Sequence, residues 1–131
     1  KVKLENNPDV WCTDILWDAL KNVMQLNKHP WIVGGDFNSS PTFDKKVNRG
    51  NQEIIDRMYL LGFKECLKEY KGKLTPTFKN PKGGKIIHQL DHLYTSNEIF
   101  KNLKYCNVID YQEIFQKSLS DHLPIVAHFQ F

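Results

Sequence analysis

The sequence predicts an α/β domain, a mixed and mainly antiparallel sheet flanked by helices. Three observations predict it. Two stretches carry apolar residues at helical spacing, each is followed by a short apolar run of strand length, and the second half is a series of such runs broken by glycine and proline. The chain has 131 residues, the size of one domain, and its 40% hydrophobic content against 25% charged residues provides for a core and excludes a disordered tail.

The first element is an amphipathic helix from about Asp9 to Asn27. Trp11, Ile15, Leu16, Leu20, Val23 and Met24 make the apolar stripe, and Asp14, Asp18, Lys21 and Gln25 the polar one. His29-Pro30 stops it, since proline turns its predecessor away from helical angles. Trp31-Ile32-Val33 then reads as a buried strand, and Gly34-Gly35 permits close backbone approach at its end. Asp36 and Asn38 thus emerge at a strand's carboxyl edge, where open α/β sheets place ligands. A second helix runs from Asn51, read as its cap, to about Leu61, with Ile54, Ile55, Met58 and Leu61 on one face and Gly62 at its end.

Phe63–Leu67 reads as a strand. From Lys68 to Lys85, six lysines stand among Gly72, Pro76, Pro81, Gly83 and Gly84, which predicts a basic loop with a short strand at Thr77-Phe78. Residues 86–95, 103–109 and 123–131 complete the strands; in the last, Ile125, Ala127, Phe129 and Phe131 alternate with Val126, His128 and Gln130. Trp11, Trp17 and Trp31 are expected in the core.

Eighteen Lys and Arg against fifteen Asp and Glu leave +3, compatible with a polyanionic partner without demonstrating one. No apolar run approaches the roughly 20 residues a membrane helix needs, and Lys1 to Asn7 lacks a signal-peptide stretch, so a soluble chain is expected. Cys12, Cys66 and Cys106 are odd in number and widely spaced, which predicts a reduced, intracellular, cytoplasmic setting and argues against structural zinc.

Chemistry concentrates in three tracts: Gly34 to Pro41 (GGDFNSSP), His88 to Ser96 (HQLDHLYTS) and Ser118 to Phe129 (SLSDHLPIVAHF). A specified tetrapeptide such as GDFN arises by chance in a chain of this length on the order of once in a thousand. Its appearance in order with LDH and SDHLP outweighs the alternative of turns capped by Asp and Asn. Phosphodiester hydrolysis needs a cation to offset charge, a base for water and a donor to the developing negative charge. Asp36, Asp121 and His122 are residues of those types, and hard oxygen ligands favour Mg²⁺ or Mn²⁺. Asp91, if bonded to one nitrogen of His122, would fix its tautomer and favour the imidazolium.

Over Trp31 to Phe131 these tracts resemble the endonuclease/exonuclease/phosphatase superfamily. The resemblance implies that Asp36 positions or deprotonates the attacking water and that Asn38 contacts phosphate or metal. It implies that Asp91 orients the imidazole of His122, which contacts the substrate phosphate, and that Asp121, with Asp36, is a metal residue. Thr77-Phe78 resembles a threonine-aromatic pair that often precedes the middle motif. Full members are roughly twice this length, with a Glu metal ligand in the earlier half. Residues 1–131 therefore read as the carboxyl-terminal portion of such a domain, half of a four-layered α/β sandwich. Its missing amino-terminal half, or a second copy, is the expected packing partner.

The intact parent is then expected to be a Mg-dependent phosphodiesterase, foremost a nuclease with nucleic acid as substrate, and this chain alone inactive. A lipid or inositol-phosphate phosphohydrolase and a non-catalytic binding or structural fragment are the competing readings. His92 reads as a structural or surface histidine rather than a catalyst, the lysine-rich loop as a solvated hairpin, and His29, His88 and His128 carry no assignment.

Overall fold

The computed structural model describes residues 3–4, 7–26, 29–45 and 50–131, with residues 3–4, 7–14, 16–17, 25–26 and 45 described by backbone alone. Strand β1 (Lys3–Leu4) pairs antiparallel with β2 (Asn7–Trp11), and α1 (Cys12–Leu26) follows directly. The helix expected from Asp9 thus starts at Cys12. The backbone of Asp9 to Trp11 belongs instead to the ladder with β1. The side chains of Trp11 and Trp17, and the helix end expected at Asn27, lie outside the described residues. Along α1 Met24 is buried, whereas Ile15, Leu20 and Val23 stand exposed.

A three-stranded antiparallel sheet, in the order β3–β7–β4, positions the site. It comprises β3 (Ile32–Asp36), β4 (Phe63–Glu65) and the central β7 (Asp91–Ser96). The expected buried strand at residues 31–33 is instead an edge strand that contains both glycines. Ile32 is 55% exposed, because among the described residues β3 has a neighbour on one side only and this face of it is uncovered. At Gly34 a Cβ would lie 3.1 Å from Leu93 Cδ1, and Gly35 has φ +150°, so both positions suit glycine.

Between β3 and β4 come a 3₁₀ turn (Pro41–Lys45) and α2 (Asn51–Leu60). Asn51 is not the cap expected of it. Gly50 occupies that position, and Asp44 from the 3₁₀ turn takes over: its carboxylate accepts from Gln52 N (2.9 Å) and from the buried Asn51 Nδ2 (2.7 Å). The strand expected over 63–67 stops at Glu65, whose carboxylate accepts from Lys68 N at 2.5 Å and so caps α3 (Cys66–Lys71). Gly72, at φ +68°, ends that helix.

The lysine-rich segment folds into α3 and a short hairpin, β5 (Phe78–Lys79) with β6 (Ile86–His88). The run expected over 86–95 is split at Gln89-Leu90 between β6 and β7. After α4 (Asn97–Phe100), β8 (Leu103–Val108) pairs antiparallel with β9 (Ile125–Phe129), with a π-helical turn (Gln112–Gln116) between them. All described pairings are antiparallel, and helices flank them. No described helix is long and apolar enough to cross a membrane.

Two apolar clusters hold these elements. On one face of the central sheet Met24, Met58, Phe63 and Tyr94 are buried, with Trp31, Val33, Phe37 and Leu61 packed against them. Burying a side chain such as Met58, at 0% exposure, stabilises by about 1.5–3 kcal/mol. On the other face Leu93 joins Cys66, Leu67 and Cys106, against which Ile125, Ala127 and Phe129 of β9 pack. Cys66 and Cys106 are free and buried, and burial pushes their thiols up to about 11 and about 12, so neither supplies a thiolate. The Cys12 side chain lies outside the described residues.

Candidate functional site

The register of the central sheet brings the first two acidic residues together. Asp36 closes β3 and Asp91 opens β7, and the two are direct cross-strand partners, so their side chains leave the same face. Beyond Asp36 the chain turns sharply at Asn38, which has φ +50°. Asn38 folds back on the aspartate: its backbone N donates to Asp36 Oδ1 (2.8 Å) and its Nδ2 to Oδ2 (2.9 Å).

Thr77 brings in the third residue. Its buried hydroxyl accepts from the backbone N of Leu90 (3.0 Å) and of Asp91 (3.1 Å), which fixes the start of β7. Its carbonyl accepts from Leu123 N (2.7 Å), and Lys79 N donates to the Asp121 carbonyl (2.9 Å). The segment 121–123 is thereby laid along β5, with Phe78 bridged to His122 and their rings 4.9 Å apart. Ser120 Oγ accepts from His122 N at 2.9 Å.

His122 Nδ1 then lies 2.8 Å from Asp91 Oδ2. Asp91 can only accept in its ionised form, so Nδ1 carries the proton and Nε2 is the atom left for a substrate. Burial alone would lower the basicity of this imidazole, but the hydrogen bond and charge of Asp91, with the charges of Asp36 and Asp121, outweigh it. The net effect holds His122 above the ordinary histidine value.

Ligand atoms of Asp36, Asp91 and His122 all lie within 4.8 Å of one another. Carboxylate oxygens are the hard donors that Mg²⁺ and Mn²⁺ take, and each Asp36 oxygen keeps lone-pair capacity beyond the bond from Asn38, so the donor set fits such an ion. Asp121 is exposed and outside that trio, although its charge reaches His122. Asp36, Asn38, Asp91 and His122 thus meet at one edge of the central sheet. Glu53 and Glu113 are engaged elsewhere, paired along their own helical turns with Arg57 (2.6 Å) and with Lys117.

The sequence reading missed Gln89, which carries no motif signal. Thr77 was legible only through its pairing with Phe78. His92 is buried, 2% exposed, beneath the site. His88, unassigned by sequence, stacks on Phe43 at 3.9 Å and bonds Thr42 Oγ1 through Nδ1 at 2.7 Å.

A comparison of the sequence with curated proteins returns no match. Solved structures do match. The 3′ phosphatase NExo from Neisseria, bound to product DNA hairpin, has a TM-score of 0.76 at 21% identity, over 90% of this chain and 53% of its own. An AP endonuclease from Archaeoglobus fulgidus has 0.75 at 18% identity, over 91% and 54%. The endonuclease domain of TRAS1, a telomere-specific non-LTR retrotransposon, has 0.64 at 20%, over 95% and 54%. At these identities the likeness is one of fold, and the chain spans about half the length of the structures it matches. The sequence profile of the Endonuclease/Exonuclease/phosphatase family matches residues 3–122, and this chain belongs to that family.

Proposed function

We propose that this chain is the carboxyl-terminal portion of a divalent-metal-dependent phosphodiesterase that hydrolyses nucleic acid. The observation that carries the reading is the Asp91–His122 hydrogen bond of 2.8 Å beside the Asp36 carboxylate. It puts a candidate base, an oriented acid and a pair of carboxylates at one point. Similar structures include a 3′ phosphatase bound to product DNA and an AP endonuclease, which favours DNA among phosphodiester substrates.

In this reading Asp36 accepts a proton from the attacking water, held in place by Asn38. His122 donates from Nε2 to a phosphate oxygen as negative charge develops, while Asp91 holds Nδ1–H and fixes the tautomer. Asn38, next to Asp36, is also placed to meet phosphate. Mg²⁺ or Mn²⁺ would be held by Asp36 beside Asp91, with Asp121 the further carboxylate that the family resemblance implies, and would supply charge to offset that on the nonbridging oxygens.

The open edge at Ile32 and Gly34 supports the further reading that an amino-terminal half, with its own acidic ligand, completes the domain. The test is cleavage of labelled duplex DNA carrying an abasic site or a 3′ phosphate, with Mg²⁺ and with chelator. An inositol phosphate and sphingomyelin run in parallel. The 131-residue chain alone should be inactive, and addition of the upstream half should bring DNA cleavage that the chelator abolishes. Mg²⁺-dependent cleavage by the chain alone would refute the fragment reading, and cleavage of the lipid or inositol phosphate alone would refute the nuclease reading. Sedimentation of the chain alone distinguishes a second copy as the partner.

A further inference from the structure

Beneath the site lies a polar relay that the chemistry above does not use. Gln89, His92 and Ser39 are each no more than 2% exposed. Thr75 N donates to Gln89 Oε1 at 2.8 Å, which settles how the Gln89 amide is turned: its Nε2 is the atom facing His92 Nδ1, at 3.2 Å. A ring nitrogen opposite an NH₂ group must accept, so the imidazole proton sits on the other nitrogen. That nitrogen, Nε2, lies 3.0 Å from the Ser39 carbonyl and donates to it. Glu65 Oε1 is 3.8 Å from Nδ1, and the Glu65 oxygens already accept from Leu93 N (3.2 Å) and Lys68 N (2.5 Å). The ring is clamped edge-on by Phe37 at 5.5 Å and stacked by Tyr94 at 5.7 Å.

Both ends of this relay adjoin segments that build the site. Ser39 directly follows Asn38, whose left-handed turn holds Asp36. Thr75 lies two residues before Thr77, which fixes Asp91 and the His122 segment. We propose that His92, oriented by Gln89, is a positioning residue that pins Ser39 and so sets the Asp36–Asn38 turn relative to the Asp91–His122 pair. A histidine packed only for its bulk would need neither the fixed tautomer nor the buried glutamine. The relevance to hydrolysis rests on the reading of the site proposed above; the positioning itself does not.

The test uses ¹⁵N,¹³C-labelled chain. The His92 signals should show a bare Nδ1 and a protonated Nε2; a protonated Nδ1 would overturn the proposal. His92→Phe should displace the Asn38 and Ser39 signals and leave the β8–β9 signals in place. His92→Gln, which can still donate to the Ser39 carbonyl, should restore them. If His92→Phe does not fold, Gln89→Met keeps the bulk, removes both glutamine bonds and should displace the same signals. Unmoved Asn38 and Ser39 signals in a folded variant would sink the idea. Mn²⁺ affinity of the chain should fall about tenfold in His92→Phe, the size of one hydrogen bond, and recover in His92→Gln. A wild-type chain that binds no Mn²⁺ would count against the metal reading alone, since the tautomer and the turn signals are read without it.

Discussion

On one face of the central sheet Tyr94 is wholly buried among Met24, Met58 and Phe63, whereas on the other Ile32 stands 55% exposed although its cross-strand partner Thr95 is fully covered. The first face is closed by helices of this chain. The second is closed over β7 and β4 by α3 and the β8–β9 pair, and left open along β3. Asp36 shares that open face with Gly34 and Ile32, two and four residues back along the same strand. The contrast teaches a division of labour: both faces carry core where the chain covers them, and the site is built where the second face runs out of cover.

The largest effect that sharpens this contrast belongs to the open face. In the active assembly, Asp36→Asn and His122→Ala should each lower phosphodiester hydrolysis by at least about 10²- to 10³-fold, since both groups act on charge that develops in the transition state. Thermal unfolding of the chain should barely change. If either variant retains wild-type rates, that residue leaves the mechanism.

Met58→Ala, on the closed face, should do the reverse. Truncating a fully buried methionine costs about 2–5 kcal/mol, while Ile32→Ala on the open face should stay within about 0.5 kcal/mol in the isolated chain. Denaturant titration of both variants decides it. An equal loss at the two positions would mean that Ile32 is covered in solution, as a second copy over β3 would do.

Within the open-face site Thr77 joins Asp91 to the His122 segment, and Thr77→Val measures that joint. The substitution keeps the shape and leaves the N–H groups of Leu90 and Asp91 without their acceptor, which should cost about 1–3 kcal/mol. Asp91 and His122 signals should move together in NMR spectra. Movement of one without the other would show that Thr77 does not couple them.

How far the sequence disclosed this arrangement depends on the range of the interactions. Asp36, Asp91 and His122 were legible because each sits in a short tract with a distinctive order, and clear apolar runs mark the strands that carry Asp36 and Asp91 and the one that follows His122. The end of β4 was not, because Phe63–Leu67 is apolar enough for a strand and only the Glu65 side chain turning back to Lys68 N converts it into a helix start. The exposure of Ile32 was hidden for a different reason: an apolar run reports what a strand can bury, and the neighbours that bury it are set by topology. The Gln89–His92–Ser39 relay joins residues up to 53 positions apart, with no periodicity to betray it.

The smallest effect is electrostatic and concerns His122 alone. Its basicity in the folded chain is raised, with burial opposing and the bond and charge of Asp91 leading the groups that raise it. Folding therefore favours the protonated ring. The stabilisation is fully present below the unfolded value of about 6.5 and is lost as pH rises through the higher folded value. Side-chain exposures of 27% for His122 and 18% for Asp91 leave the pair open to solvent screening, so the effect on stability should be slight and should shrink further with salt. Chemical denaturation of the wild-type chain and of Asp91→Asn at a series of pH values above 6 measures it. The wild type should lose stability relative to the variant as pH rises, and hydrolysis in the active assembly should decline over the same window as the Nε2 donor loses its charge. Parallel stability curves for the two proteins would show that Asp91 does not hold the proton on His122, and the open face would then keep its carboxylates but lose its acid.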